Sequence, residues 1–321
     1  MSHTATDPDF LKLLCCPVCG GEIQPESSES LKCSGAECHN FPIVHDIPRF
    51  AGESYIQSFG IQWNRYDVVR TEMDLLTFEA KTGMHPSKLK GLKVIDAGVG
   101  GGRYARLVGE QGGIVVGLDL SSAVEKARAN TTDLENVFIA QADLLSPPLK
   151  SAVFDFAYSI GVLHHCPNPR EAFSQVAKAV RPGGQLAVWL YRRNTLPQEV
   201  LNTLLRMVTT RLPDRLLRGW ARLLTIPGGI PLIKQTLSKI INFSTFQDAQ
   251  LRLCDNYDWY APKYQSHHTL EELRKWFLEE GFEEPLELRP EKRGSFYEWA
   301  YDHNLIIGSG VNLVSKKRSD T

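Results

Sequence analysis

The sequence predicts an α/β fold, a doubly wound parallel sheet preceded by a small metal-stapled domain. Three observations carry this expectation. From Leu92 onward, short apolar or β-branched runs alternate with helical segments, the pattern of strands buried on both faces and joined by helical crossovers. Asp96, Asp119 and Asp143 mark three of the turns at spacings of 23 and 24 residues, close to one strand–helix unit each. Five of the seven cysteines lie between Cys15 and Cys38.

Composition sets the outer bounds. A chain of 321 residues corresponds to about two domains of roughly 150 residues. Apolar residues are 42% and charged residues 23%, with a net charge of −1, which excludes a disordered polyelectrolyte and a chain that coats nucleic acid with its whole surface. No run of roughly 18 apolar residues suggests a membrane-spanning helix. Met1-Ser2-His3-Thr4 lacks the basic-then-apolar layout of a signal peptide. A cytoplasmic protein with reduced thiols is the expectation.

Residues 1–52 form the predicted metal-bound domain. Cys16-Pro17-Val18-Cys19 has the C-x2-C spacing that lets two thiolates approach one ion from a tight turn. Cys33 and Cys38 add a C-x4-C pair that closes a tetrahedral site. Zinc on Cys16, Cys19, Cys33 and Cys38 is the favoured reading; His39 could replace Cys38, and Cys15 could replace Cys16. Some 50 residues bury little apolar surface, so a metal staple suits this size. Cys166 and Cys254 lie far away and read as plain thiols.

Residues 53–91 read as a helical linker. The strands expected after it are Leu92–Ala97, Ile114–Leu118, Val137–Ala140, Val153–Ser159 and Gln185–Tyr191, with helices over Ser121–Asn130 and Arg170–Val180. The three acids then fall at equivalent carboxyl ends of neighbouring strands, where such sheets bind ligands. Residues 192–256 read as a helical insertion. Within 192–252, ten Lys/Arg against three acids give +7. Thr195 with Gln198 resembles a capping box, and Val200, Leu201, Leu204, Leu205, Val208 and Leu212 form a helical apolar stripe. Thr269 and Glu272 cap a later helix that ends near Gly281, and Pro285–Leu288 and Asn304–Leu313 are candidate edge strands.

Val94-Ile95-Asp96-Ala97-Gly98-Val99-Gly100-Gly101-Gly102-Arg103 is a strand running into a glycine turn and then a helix. Gly98, Gly100 and Gly102 leave the backbone open to a ligand. This signal alone is weak, because Gly100-x-Gly102-x-x-Ala105 with Asp119 further on also fits a dinucleotide fingerprint. Asp96 shifts the balance: a carboxylate there attracts an ammonium and repels a pyrophosphate. Asp143 adds an acid suited to an exocyclic adenine amine. Together with Phe154–His165 and Arg181-Pro182-Gly183-Gly184, residues 92–192 resemble the class I S-adenosylmethionine (SAM)-dependent methyltransferases of the type 11 kind.

That resemblance implies a Rossmann-like seven-stranded sheet over 92–321 and SAM as cofactor. Gly98, Gly100 and Gly102 would line its methionine and ribose, and Asp96 would help hold the amino group. Asp119, with Leu120 beside it, would take the ribose hydroxyls, and Asp143, with Leu144, the adenine. Ile160 would border the sulfonium. One departure is Val99, where many relatives carry Cys. Leu14–Phe50, ending Phe41-Pro42-Ile43-Val44-His45-Asp46-Ile47-Pro48-Arg49-Phe50, is similar to the zinc-ribbon-like domain known as a tRNA-methyltransferase activator and fused ahead of many bacterial methyltransferases. Phe59-Gly60-Ile61-Gln62-Trp63 resembles the stretch that covers the cofactor in such fusions.

An oxygen or carbon-acid acceptor would need a base, for which His164, His267 and His268 are the candidates. The favoured acceptor is the O, N or C of a small metabolite. A ribosomal- or transfer-RNA base is the alternative, and a non-catalytic SAM-binding scaffold a second. Residues 1–50 carry seven acids and three bases, a net of −4, which opposes RNA binding by the ribbon. The +7 insertion reads as a substrate lid, with peripheral membrane contact of 192–252 left open.

Overall fold

A computed structural model describes residues 5–52, 71–193, 196–230, 237, 240–244, 248–289 and 310–319. A short helix, α1 (Pro8–Leu11), leads into a four-stranded antiparallel meander of β1 (Ile23–Pro25), β2 (Ser30–Cys33), β3 (Asn40–Val44) and β4 (Ile47–Pro48). This unit does not stand apart. Phe10 stacks on Phe138 at 4.8 Å and 6°, and Phe10, Leu14, Leu31 and Phe41 belong to the same buried cluster as Phe138 and Leu149. Backbone bonds stitch the seam: Cys15 N donates to Pro148 O, Lys150 N to Leu13 O and Phe50 N to Gln141 O. Arg49 meets Glu125, and Arg128 meets Asp46 at 2.7 Å.

The Phe59–Trp63 segment of the expected linker lies outside the described residues. Its C-terminal part is helix α2 (Thr71–Thr82), followed by a 3-10 turn at Pro86–Leu89. The main sheet then builds as β5 (Lys93–Ala97), α3 (Arg103–Glu110), β6 (Ile114–Asp119), α4 (Ala123–Asn130), β7 (Val137–Gln141), β8 (Phe154–Ile160), α5 (Pro169–Ala179) and β9 (Val180–Tyr191). Two further strands, β10 (Leu286–Glu287) and β11 (Gly310–Lys316), pair antiparallel to each other, and β11 pairs antiparallel with β9. The spatial order is β10-β11-β9-β8-β5-β6-β7. The chain winds outward from β5 to β7, then returns to β8 on the other side. The reversal between β5 and β8 opens the crevice where such sheets bind ligands.

The central strands are legible because they are buried on both faces. Val94, Ile95, Val115, Val116, Phe156 and Ala157 are all within 1% of fully buried. One face packs on the ribbon side, the other on Phe78, Tyr104 and Val108. Helix α10 (Leu270–Glu279) starts with the expected capping box, Thr269 and Glu272 each bonding the other's backbone. Gly281 follows it in the left-handed conformation, φ 79°.

The insertion forms α6 (Leu196–Thr209), α7 (Asp214–Leu223), α8 (Thr225–Gly229) and, after 248, α9 (Ala249–Tyr260). Thr195, the proposed cap, lies outside the described residues. Helix α6 departs from expectation. Of the predicted core stripe, Leu205 and Leu212 pack on a buried cluster, but Val200, Leu204 and Val208 face solvent while Asn202, Arg206 and Thr209 are buried. The polar side finds partners inside: Arg206 donates to the carbonyls of Trp259 and Pro262 at 2.6 Å each, and Thr209 to Tyr260 O. Among the described residues no helix is long and apolar enough to cross a membrane.

Candidate functional site

The glycine loop sits at the carboxyl end of β5. Gly98 and Val99 both donate backbone N–H groups to Leu118 O, folding the loop back over β6. Gly98 has φ 97°, and a Cβ there would lie 2.2 Å from Val162 Cγ2; both facts require glycine. Gly102, at φ 83°, starts α3 with its missing Cβ against the Ala127 backbone.

Asp119 closes the loop. One carboxylate oxygen accepts from Gly100 N at 2.9 Å; the other accepts from Ser121 N at 2.9 Å and Ser121 Oγ at 2.7 Å. Burial raises its pKa, against the pull of these donors. Leu120, next in sequence, and Leu144 are both buried, and Leu120 O accepts from Gln141 Nε2. Asp143 lies two residues past β7 and accepts from Leu145 N at 2.9 Å. Ile160 ends β8 and is half-buried.

Asp96 lies directly opposite Tyr158 in the β5–β8 register, and the Tyr158 hydroxyl donates to it at 2.9 Å. Burial pushes the Asp96 carboxyl up to about 7. Arg103 and Asp74 pair nearby at 3.3 Å. The Tyr104 hydroxyl is buried close enough to feel Asp74, Asp96 and Arg103, yet has no hydrogen-bond partner. A buried hydroxyl without a partner is costly. Arg103, Tyr104, Tyr158 and Asp74 were missed in the sequence. Of these, Tyr158 carried a signal, since strand pairing places it across from Asp96.

The three candidate histidines converge at the end of β9. His164 is wholly buried, its ring stacked on Tyr191 at 3.8 Å. Its Nδ1 accepts from Tyr191 N at 3.4 Å, and Nε2 is buried without a partner. A neutral ring with Nδ1 so engaged carries its proton on Nε2, so it offers no free lone pair. Burial also holds its pKa well below the usual value. His268 is engaged at both nitrogens, with Glu272 at 3.1 Å and Ser266 Oγ at 2.8 Å. Neither ring therefore presents an unengaged nitrogen lone pair. His267 differs. Its Nδ1 lies 2.7 Å from both carboxylate oxygens of Glu199 on α6, which fixes the proton on Nδ1 and leaves the Nε2 lone pair available. Nearby, Tyr191 donates to Asp258 at 2.8 Å. Lys81 of α2 sits 3.9 Å over the Trp189 ring, and burial lowers its ammonium to about 7.

A second cluster of candidate ligands lies in the N-terminal meander. Cys16, Cys19, Cys33 and His39 present ligand atoms within 4.8 Å of one another. Cys38, expected as the fourth ligand, is not in this group. It is exposed, in a left-handed turn at φ 39°. Pairing of β2 with β3 instead sets His39 opposite Cys33, whose N–H donates to His39 O at 3.0 Å. The Cys19–Cys33 sulfurs are 3.7 Å apart, and His39 Nδ1 is 3.7 Å from Cys16 Sγ and 3.5 Å from Cys33 Sγ. A tetrahedron with metal–sulfur bonds of about 2.3 Å and a metal–nitrogen bond of about 2.05 Å has edges of about 3.8 and 3.6 Å. Gly35 leaves the space: a Cβ there would be 2.6 Å from Cys19 Sγ. On the far side of the ring, His39 Nε2 faces Glu37 at 3.5 Å. Cys15 takes no part; its thiol donates to Leu149 O across the domain seam.

Residues 95–188 match the family model described as a methyltransferase domain. Over 137 residues the chain is 33% identical to a malonyl-[acyl-carrier protein] O-methyltransferase of Salmonella typhimurium, covering 40% of this chain and 53% of that protein. It is 32% identical over 105 residues to phosphoethanolamine N-methyltransferase 2 of Caenorhabditis elegans, covering 32% of this chain and 24% of that one. The chain thus spans at most about half of these two relatives. Among solved structures, a complex of the Haloferax volcanii Trm112 methyltransferase activator with a methyltransferase aligns over 83% of this chain and 100% of that one, at 15% identity and a TM-score of 0.47.

Proposed function

We propose that this protein transfers a methyl group from SAM to a small-molecule acceptor. The observation that carries the reading is the arrangement at the β5–β8 switch point: Asp96 and the orphan Tyr104 hydroxyl at one end of the glycine loop, Asp119 at the other. The methyltransferase-domain match over 95–188 covers this segment. Asp96 suits the ligand's ammonium and Arg103 its carboxylate. Asp119 suits the ribose hydroxyls, and Asp143, Leu120 and Leu144 the adenine. When bound, SAM supplies an activated methyl on a sulfonium, so the protein's task is alignment and exclusion of water. His267, held by Glu199, removes the acceptor's proton. Trp189, Tyr191 and the buried His164 and His268 shape the wall on which the acceptor rests.

Zinc is proposed for Cys16, Cys19, Cys33 and His39, with a structural role, since all four tetrahedral positions are filled by protein. RNA is disfavoured as acceptor by the ribbon's −4. Label from methyl-tritiated SAM should enter the low-molecular-weight fraction of a cell extract; label in the RNA fraction instead would overturn the small-molecule reading.

The buried Asp96 gives SAM binding a pH dependence. Its carboxyl is raised to about 7 because burial penalises the anion, whereas a ligand ammonium favours the anion. Binding is thus linked to proton loss. Affinity should fall as pH drops below about 7, by up to about tenfold per pH unit, and level off above it. Asp96→Asn should flatten the profile. A wild-type affinity constant from pH 5 to 8, an interval spanning about 7, would remove Asp96 from the site.

A further inference from the structure

We propose that the outward face of α6 and α7 docks on an anionic lipid bilayer. The first observation is that α6 is inside-out. Leu196, Val200, Leu204, Met207 and Val208 are 51–77% exposed and fall on one side of the helix at i, i+4, i+8, i+11 and i+12. The opposite side is polar and engaged: Asn202 with Gln265, Arg206 with two carbonyls, Glu199 with His267. A lid that laid these five side chains over a pocket would bury them, whereas here they face solvent. The helix buries its polar side and packs Leu205 on the cluster of Leu217, Tyr257 and Tyr260, while Leu196, Val200, Leu204, Met207 and Val208 stay in solvent.

Helix α7 continues the surface, with Leu216 and Leu223 exposed at i and i+7. Ile226 and Ile230 follow, 60% and 41% exposed. Ten of the sixteen exposed large apolar residues among those described fall within 196–240. A monomer seldom leaves so concentrated an apolar patch bare.

Charge selects the occupant. Arg211, Arg215 and Arg222 are exposed among these apolar residues. The acids on the same helices are engaged: Glu199 with His267, and Asp214 with Arg218 at 2.7 Å and with the Tyr257 hydroxyl at 3.0 Å. A two-fold contact with a second copy would set this patch against itself and oppose its arginines. A surface with apolar depth and anionic headgroups satisfies both halves, as for helices that lie in the membrane interface.

Flotation of the full-length protein tests this, using phosphatidylcholine vesicles with and without phosphatidylglycerol. The protein should float with the anionic vesicles and not with phosphatidylcholine alone. Leu204→Glu and Met207→Glu should each lower partition by at least about tenfold, and Arg211→Gln and Arg215→Gln by roughly fivefold each. All four side chains are exposed, so the helical circular dichroism of the variants should match wild type. Failure of the wild type to float overturns the proposal. So does a wild-type dimer in sedimentation equilibrium that Leu204→Glu dissolves, which would assign the face to a second copy.

Discussion

His267→Ala should lower the rate of methyl transfer by roughly 10²- to 10⁴-fold with SAM affinity unchanged. The tautomer of His267 decides the size of the effect. Two carboxylate oxygens of Glu199 at 2.7 Å from Nδ1 hold the proton there, so Nε2 presents a lone pair. Glu199→Gln should cost nearly as much as removing the ring. An amide can donate to Nδ1 and drive the proton onto Nε2, leaving a donor where an acceptor is needed. Single-turnover label transfer into the acceptor fraction measures both. A Glu199→Gln enzyme within threefold of wild type, beside a slow His267→Ala enzyme, would show that the carboxylate serves packing alone. His164→Phe, by contrast, should act through stability, because that ring is enclosed against Tyr191.

The second large effect concerns the ribbon. Fresh protein should hold one zinc. Cys33→Ser and His39→Ala should abolish it, and Cys38→Ser should leave it in place, since Cys38 is turned outward and lies outside the ligand group. Structural zinc contributes folding free energy on the order of 10 kcal/mol in small zinc modules. The loss would not stay local, because Phe10, Leu14 and Leu31 share one core with Phe138 and Leu149 of the main domain. Metal-free protein should melt roughly 10 °C lower or more. Atomic absorption and thermal unfolding on the three variants give the readout. Retention of zinc by His39→Ala with loss in Cys38→Ser would restore the four-cysteine site.

The main sheet was legible because its central strands are buried on both faces and read as unbroken apolar runs. The Thr269–Glu272 cap was legible because its chemistry is local. Asp96 and Asp119 stood out by their unit spacing, and Asp119 accepts from Gly100 N of the glycine loop. What failed depended on backbone conformation or distant partners. The C-x4-C spacing of Cys33 and Cys38 says nothing of the left-handed turn at Cys38 that leaves His39 facing the sulfurs. The apolar stripe of α6 carried the correct period, but periodicity assumes that the apolar side faces inward. Arg206 and Asn202 claim the inside by finding carbonyls and Gln265 there, so only the Leu205 and Leu212 edge of the stripe packs inward. Glu199 went unread because its partner His267 lies 68 residues away.

The central claim is that the glycine loop and Asp119 form a SAM site. Titration calorimetry with SAM, on wild type and Asp119→Ala, tests it most directly. A single site is expected in the wild type and a loss of roughly 100-fold in the variant, about 3 kcal/mol for hydrogen bonds to a buried carboxylate. No heat is expected with a nicotinamide dinucleotide. Equal SAM affinity in the two proteins, or binding of the dinucleotide in its place, would contradict the claim.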